Sequence, residues 1–304
     1  MNLKKAYPNS EIILTTKQQY LPLIKYYKDL DECIPFPEDG KLSSFFRYIK
    51  EIRKTKFDLV IDLHNSLRSR IVRKLCKTLS VSIYDSNRNR RKSYLKPGIK
   101  YPPFEHTVEM YNDALCLPSS DTLSVKPEFL TKKINQNNKY NAICIITSAK
   151  HPTKEWLPEY TLEVIDQLIK QSLNIILVAD RNDEMIMPVF SDSPNVEFHV
   201  KPDLDTLVEL IRRCKAVISG DTGPMHFAEA LDAPVIAIFG PTHPCLGFNP
   251  LGEYDISLTS NEECSPCSLH GEKECYKDKR YCMININPKL VVEAVGNIIS
   301  KKGP

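Results

Sequence analysis

The chain has 304 residues, enough for two ordinary domains and for a core that needs no disulfides. With 42% hydrophobic and 26% charged residues and a net charge of +3, it has the composition of a globular protein, and nothing global argues for nucleic acid. No run of about 18 apolar residues marks a membrane-spanning helix, and the opening "MNLKKAYPNSEIILTTKQQY" lacks the apolar core of a signal peptide, so the expectation is a cytoplasmic protein.

Apolar β-rich runs alternate with amphipathic stretches along the chain. "MNLKKAYP" has the pattern of a helix end with no strand ahead of it. "EIILTT" reads as a strand, "KQQYLPLIKYYK" as a helix, and a short strand follows around Cys33 and Ile34. "KLSSFFRYIKEIRKTK" predicts a helix, "FDLVIDLH" a strand, "SLRSRIVRKLCKTL" a helix and "VSIYDS" a strand. Segment 121–140 is polar and loses the periodicity, so a linker is expected at 129–140 between a domain over 1–128 and a domain over 141–304. The second series runs "AICIIT", "LPEYTLEVIDQLIKQ", "NIILVA", "VEFHV", "DLDTLVELIRRC", "AVISG", "PMHFAEALD" and "PVIAIFG", again strand and helix in turn. Such alternation predicts an α/β protein of two Rossmann-like halves on parallel sheets, with ligands beyond the carboxyl ends of the strands. In a doubly wound sheet the first strand is central. A first half without it would leave unpaired backbone in the middle of its own sheet.

The break at "SGDTGPMHF" is where chemistry is expected. Strand "AVISG" ends at Gly220, Asp221 or Thr222 suits the N-cap of the next helix, and Pro224 suits its first turn. Gly223 removes a side chain where a ligand approaches the backbone, and the free amides of a helix start favour a diphosphate. Asp221 would then bond a ribose or sugar hydroxyl, and His226 a phosphate or the donor sugar. Gly240-Pro241-Thr242, at the end of "PVIAIFG", reach the same edge, where Thr242 offers a hydroxyl. Two other readings of the break are a well-capped crossover with no ligand and an aspartic protease. The protease motif needs two copies in all-β surroundings, and this one occurs once, between parallel-type strands.

These residues closely resemble the donor-site signature of the bacterial heptosyltransferases, glycosyltransferase family 9. "FDLVIDLHNSLRSR", "HTVEMYNDAL", "TSAKHPTKEWLPEY" and "CSPC…C…CM" resemble further parts of the family, so the likeness covers nearly the whole chain. It implies the GT-B architecture of two facing Rossmann-like domains. The implied activity is inverting transfer of heptose from ADP-heptose to the lipopolysaccharide inner core, without a metal for the transfer. The partners implied are the ADP-sugar donor and a Kdo-lipid A type acceptor, with peripheral contact at the inner membrane and no nucleic acid. Carried over, Asp221, Thr222, Gly223 and His226 match the nucleotide-sugar motif, and Lys154 matches the lysine on the donor's phosphate side. A cation and helix amides would stabilise the charge developing on the leaving ADP. Thr147 and Ser148, at the end of "AICIIT", face the same cleft, and Arg181 or Glu184 are candidate ribose contacts. Trp156, the single tryptophan, is expected to pack the start of its helix.

Family members begin with a strand, a Gly-Asp loop and a helix leading into a segment like "LKKAYPNSEI", whereas this sequence starts inside that helix. The aspartate that resembles the general base is therefore expected upstream of Met1, in a longer protein, and no catalytic base is assigned. Alternatives to transfer are a non-catalytic nucleotide-sugar-binding remnant and a nucleotide-sugar epimerase.

Two other features remain. Cys264-x2-Cys267-x7-Cys275-x6-Cys282 has a spacing open to structural zinc, packed reduced thiols or disulfides. The other six of the ten cysteines, Cys33, Cys76, Cys116, Cys144, Cys214 and Cys245, read as small buried hydrophobes. "RNRRKSYLK" (88–96) reads as a solvated basic loop or, through Arg91, as a contact for an anionic acceptor, with His64, Arg68 and Arg70 on the same surface.

Overall fold

The computed structural model describes residues 2–27, 29–97, 103–115, 117, 141–181, 185–260 and 262–302. The linker expected at 129–140, Cys116 and Glu184 lie outside the described residues. The chain divides into two compact units, Met1–Arg88 with Thr107–Val125, and Asn89–His106 with Lys126–Pro304.

The first unit contains α1 (Asn2–Ala6), β1 (Ile13–Lys17), a 3-10 helix (Gln18–Tyr26), β2 (Glu32–Phe36), α2 (Leu42–Ile52), β3 (Lys56–Asp62), α3 (Leu67–Leu75) and β4 (Lys77–Ile83). Helix α4 (Arg88–Ser93) starts at the boundary, and α5 (Thr107–Asp113) belongs to the first unit. Apolar residues at helical spacing on α2 put Tyr48, Ile49 and Ile52 against Ile34 of β2 and Val72 of α3, which forms a small core. β1 pairs with β2 and β3 with β4, both in parallel, and among the described residues no ladder joins the two pairs.

Two elements differ from the sequence reading. The stretch around Gln18–Tyr26 is a 3-10 rather than an α-helix, with Pro22 inside it, where the missing N–H and fixed φ disfavour regular α-helix. The basic run expected as a loop forms α4, because its residues 89–93 join the second unit and gain packing there.

The second unit contains β5 (Ala142–Ile146), α6 (Pro158–Lys170), β6 (Asn174–Ala179), α7 (Met187–Phe190), β7 (Val196–Val200), α8 (Leu204–Arg212), β8 (Ala216–Gly220), α9 (Gly223–Ala230), β9 (Val235–Phe239), β10 (Ile256–Thr259), α10 (Tyr281–Ile284) and α11 (Pro288–Lys302). Its six parallel strands lie in the order β10-β9-β8-β5-β6-β7. Every residue of β5 and β9 is buried, as unbroken apolar runs require when helices cover both faces of a parallel sheet. Ile143, Ile145, Ile175, Leu177, Ile218, Ile236 and Ile238 meet Val164, Ile165 and Leu168 of α6 and Val291, Val295 and Ile298 of α11. α9 packs on β8 and β9, and α8 packs against α9. The first strand, β5, is central, and the winding reverses between β5 and β8. A crevice therefore opens between their carboxyl ends, where the loops diverge.

Candidate donor site at the switch point

Four expected residues converge on this edge. Gly220 ends β8, and Thr222 takes the N-cap position of α9 with extended backbone (φ −140°, ψ 170°). The Thr222 side chain makes no cap bond and leans instead toward Ser219, with the two hydroxyl oxygens 3.1 Å apart. Pro224 follows in the first turn, as its missing N–H predicts. A Cβ built at Gly223 would meet nothing within 4 Å, so the space over the helix start is open.

Asp221 is 7% exposed and would be costly there as a lone carboxylate. Lys154, on the 3-10 turn Pro152–Lys154, answers it. Its Nζ lies 2.8 Å from Asp221 Oδ2 and donates to the Asp221 carbonyl at 2.5 Å. These two bonds use two of the three ammonium protons and leave the third for a ligand.

Sequence reasoning missed what holds Lys154. Arg280 Nη1 donates to the carbonyls of Pro152 at 2.9 Å and Glu155 at 2.8 Å, which fastens both ends of the lysine-bearing turn. Thr153 Oγ1 donates to the Gly271 carbonyl. Gly271 has φ +83°, and a Cβ there would come within 2.7 Å of Lys154 Cγ. The lone glycine in "LHGEKEC" is the signal that could have flagged this approach. Ser268, fully buried, accepts the Gly271 N–H at 2.9 Å and donates to Glu272. Burial pushes the Glu272 carboxyl up, but Ser268 and neighbouring amides outweigh it, so it sits at about 2.

Thr147 and Ser148 leave β5 as expected. They line a pocket of about 60 Å³ with Glu155, Trp156, Thr161 and Arg181. Ser148 Oγ, however, accepts the Asp180 amide at 2.7 Å, and Arg181 pairs with Glu155 at 2.7 Å. Trp156 donates to the Ile286 carbonyl at 3.0 Å and lies edge-on to Tyr160, so it packs the helix start. His226 lies on the first turn of α9 with 43% of its side chain exposed.

Three expectations need correction. Thr242 is 1% exposed and presents no hydroxyl at the edge. The reason is the cysteine-rich loop, whose Cys267 and Ser268 amides bond the Pro241 carbonyl while the Ser265 hydroxyl bonds that of Gly240. Arg91 is 4% exposed and is no acceptor contact, because its guanidinium stacks 4.4 Å from the Phe248 ring and 5.0 Å from the Phe104 ring. With it, segment 89–106 joins the second unit rather than the first, tied also by the Phe104 amide to the Cys245 carbonyl at 2.8 Å.

In the first unit, His64 and Arg68 are exposed beyond β3, and Arg70 Nε donates to Asn65 at 3.2 Å. Asp62, at the end of β3, pairs with Arg73 at 2.7 Å and accepts the His64 and Asn65 amides. Burial raises its carboxyl, but these amides and Arg73 hold it below the usual range.

Cys264, Cys267, Cys275 and Cys282 line one pocket and, like the other described cysteines, are free thiols. Burial, and then the neighbouring sulfurs, push Cys282 up to about 12 and raise Cys267. Among the described residues no three His, Cys, Asp or Glu side chains stand as a metal-ligand set. The four sulfurs thus share one pocket beside Thr153, Pro241 and Arg280.

Residues 45–277 match the model of glycosyltransferase family 9 (heptosyltransferase). The chain belongs to that family. Among relatives of this glycosyltransferase, lipooligosaccharide heptosyltransferase 2 of Haemophilus influenzae is 24% identical over 327 residues, covering 98% of this chain and 93% of the relative. Lipopolysaccharide heptosyltransferase 2 of Escherichia coli K12 is 31% identical over 100 residues, 31% of this chain and 29% of that one. Among solved structures, a family 9 glycosyltransferase from Veillonella parvula aligns with a TM-score of 0.76 at 20% identity, over 98% of this chain and 91% of that one. E. coli heptosyltransferase WaaC with ADP aligns with a TM-score of 0.73 at 17% identity, over 98% and 93%. These likenesses give the glycosyltransferase the GT-B-type fold of parallel α/β units. Among its described residues no helix is long and apolar enough to cross a membrane.

Proposed function

We propose that this glycosyltransferase moves a heptose from an ADP-sugar to a lipopolysaccharide core, with inversion, and binds the donor at the switch point of its second unit. The observation that carries the donor site is the buried Lys154–Asp221 pair beside the open start of α9, at the edge where doubly wound sheets bind nucleotides. The family match supports the reaction, and the relatives' names support heptose and a lipooligosaccharide or lipopolysaccharide acceptor.

In this reading the diphosphate lies on the α9 amides over Gly223, with the third proton of Lys154 on a phosphate oxygen. As the bond from the anomeric carbon to the diphosphate oxygen breaks, negative charge grows on ADP. A fixed ammonium and helix dipole stabilise it more than they stabilise the ground state. Asp221 holds Lys154 in place and keeps a carboxylate oxygen available to a ribose or sugar hydroxyl. Leaving-group stabilisation of this kind calls on no divalent cation. The epimerase reading is not favoured by the family match. A lipid-borne acceptor favours peripheral contact at the cytoplasmic face of a membrane. Exposed Leu67 and Arg68 on α3 suit such a surface.

Calorimetric titration with ADP tests the site. Lys154→Ala and Asp221→Ala are each expected to weaken binding about tenfold or more, and unchanged affinity in both would refute it. Transfer from ADP-heptose to a core acceptor, followed by mass spectrometry of the product, separates an enzyme from a protein that only binds the donor.

A further inference from the structure

Glu229 has no role in the site described so far, yet it is 2% exposed on a helix whose neighbouring residues Met225, Ala228 and Ala230 are apolar. Its Oε1 accepts the Leu251 amide at 2.7 Å. Its Oε2 is buried without a hydrogen-bond partner, the one carboxylate oxygen in that state among the described residues. The group facing Oε2 is His226 Nδ1, one helical turn nearer the start of α9, at 3.6 Å. The other charged groups on elements packed against α9 have partners of their own. Asp221 pairs with Lys154 at 2.8 Å, Arg212 with Glu209 at 3.0 Å, and Arg213 with Glu197 at 2.7 Å.

A buried carboxylate oxygen with one imidazole in reach is a strong orienting device, because the low local dielectric magnifies its attraction for an N–H. The 3.6 Å separation is a little longer than a hydrogen bond, and such contacts tighten when ligand binds. The ring's far nitrogen, Nε2, lies opposite Nδ1, on a side chain that is 43% exposed.

We propose that Glu229 is a positioning residue for His226. Oε2 of Glu229 accepts Nδ1–H and holds the ring as an imidazolium, and Nε2–H then donates to an oxygen of the donor's diphosphate. The ring then carries one proton on each nitrogen and adds a positive charge to the one from Lys154. The inference rests on the α9 diphosphate site of the preceding section, and it adds a residue that the Asp-Thr-Gly-Pro motif does not contain.

The test uses the full chain and three variants. Glu229→Gln keeps an oxygen for the Leu251 amide but cannot neutralise an imidazolium, and Glu229→Asp keeps the charge. ADP and adenosine affinities are measured by calorimetry. The ring nitrogens of His226 are followed by ¹⁵N NMR, with the resonance assigned through His226→Ala. The ADP complex of the unmodified protein is expected to show both His226 nitrogens protonated under conditions where that of Glu229→Gln shows one. Glu229→Gln is expected to return the ring to the neutral form and raise the ADP Kd about tenfold, with adenosine affinity unchanged. Glu229→Asp is expected to restore the imidazolium and most of the ADP affinity. If Glu229→Gln keeps the imidazolium and an ADP Kd within about twofold of the parent, the positioning role is overturned. If His226→Ala leaves ADP affinity unchanged, His226 makes no contact with the diphosphate and this inference falls, while the donor site still stands or falls with Lys154→Ala and Asp221→Ala. If His226→Ala weakens ADP binding and Glu229→Gln does not, only the positioning role falls.

Discussion

Replacing Lys154 by methionine removes a buried ammonium while keeping the length of its stem. Two bonds to Asp221 are lost, one to Oδ2 at 2.8 Å and one to its carbonyl at 2.5 Å. The carboxylate left behind keeps only about a tenth of its surface in water. Removing one partner of a buried pair costs roughly 3–5 kcal/mol, and this slight exposure places the cost at about 3 kcal/mol. In a unit of this size that corresponds to a Tm lower by about 6–12 °C. The decisive comparison is the double variant Lys154→Met/Asp221→Asn. It no longer buries an unpaired charge and should be more stable than Lys154→Met alone, with a coupling of at least about 1.5 kcal/mol. Thermal and urea unfolding of all four proteins give that number. A coupling below about 0.5 kcal/mol, or a double variant less stable than the single one, would refute the pairing argument.

Gly271→Ala puts a methyl 2.7 Å from Lys154 Cγ at a residue with φ +83°, so it should cost more than about 1 kcal/mol in unfolding and weaken ADP binding by displacing the lysine. Glu272 has a folded-state carboxyl at about 2, below the ordinary value near 4.3, so its contribution to stability is present at neutral pH and is lost as pH falls through that range. The urea midpoints of Glu272→Gln and the parent should therefore differ at neutral pH and converge in acid. Transfer should persist in chelator, and elemental analysis of protein purified under reducing conditions separates packed thiols from structural zinc at Cys264, Cys267, Cys275 and Cys282. One zinc per chain would mean the four sulfurs close into a ligand set.

Much of the second unit was legible because its signals are local. "AICII" and "VIAIF" are unbroken apolar runs, and they are the fully buried strands β5 and β9. The Asp-Thr-Gly-Pro break marks the start of α9 for reasons of proline geometry that act within a few residues, although the Thr222 side chain makes no cap bond. What the sequence could not show is set by partners far along the chain. Lys154 meets Asp221 across 67 positions, and Arg280 reaches back 128 positions to Pro152. Thr242 looked like a site hydroxyl until a loop from residues 264–268 covered it. The run at 88–96 looked like solvated charge because the rings that desolvate Arg91 include Phe248, from another part of the chain. Glu229 was passed over because a single carboxylate in "HFAEALDA" has no periodic signature.

The Arg91 stack has a practical consequence for dividing the protein. Gly247, at φ +77°, leaves no room for a Cβ against the Glu105 carbonyl, and His106 Nε2 lies 2.8 Å from the Asn249 carbonyl. Residues 89–97 and 103–106 are therefore a built-in part of the nucleotide-side body, although the sequence delivers them well before it begins. A gene fragment cut at residue 141 would strip that body of one of its own strips, baring Phe248 to water and leaving the Cys245 carbonyl without its amide. Such an excised half would be poorly autonomous, and co-expressing a peptide spanning 89–106 should restore its solubility.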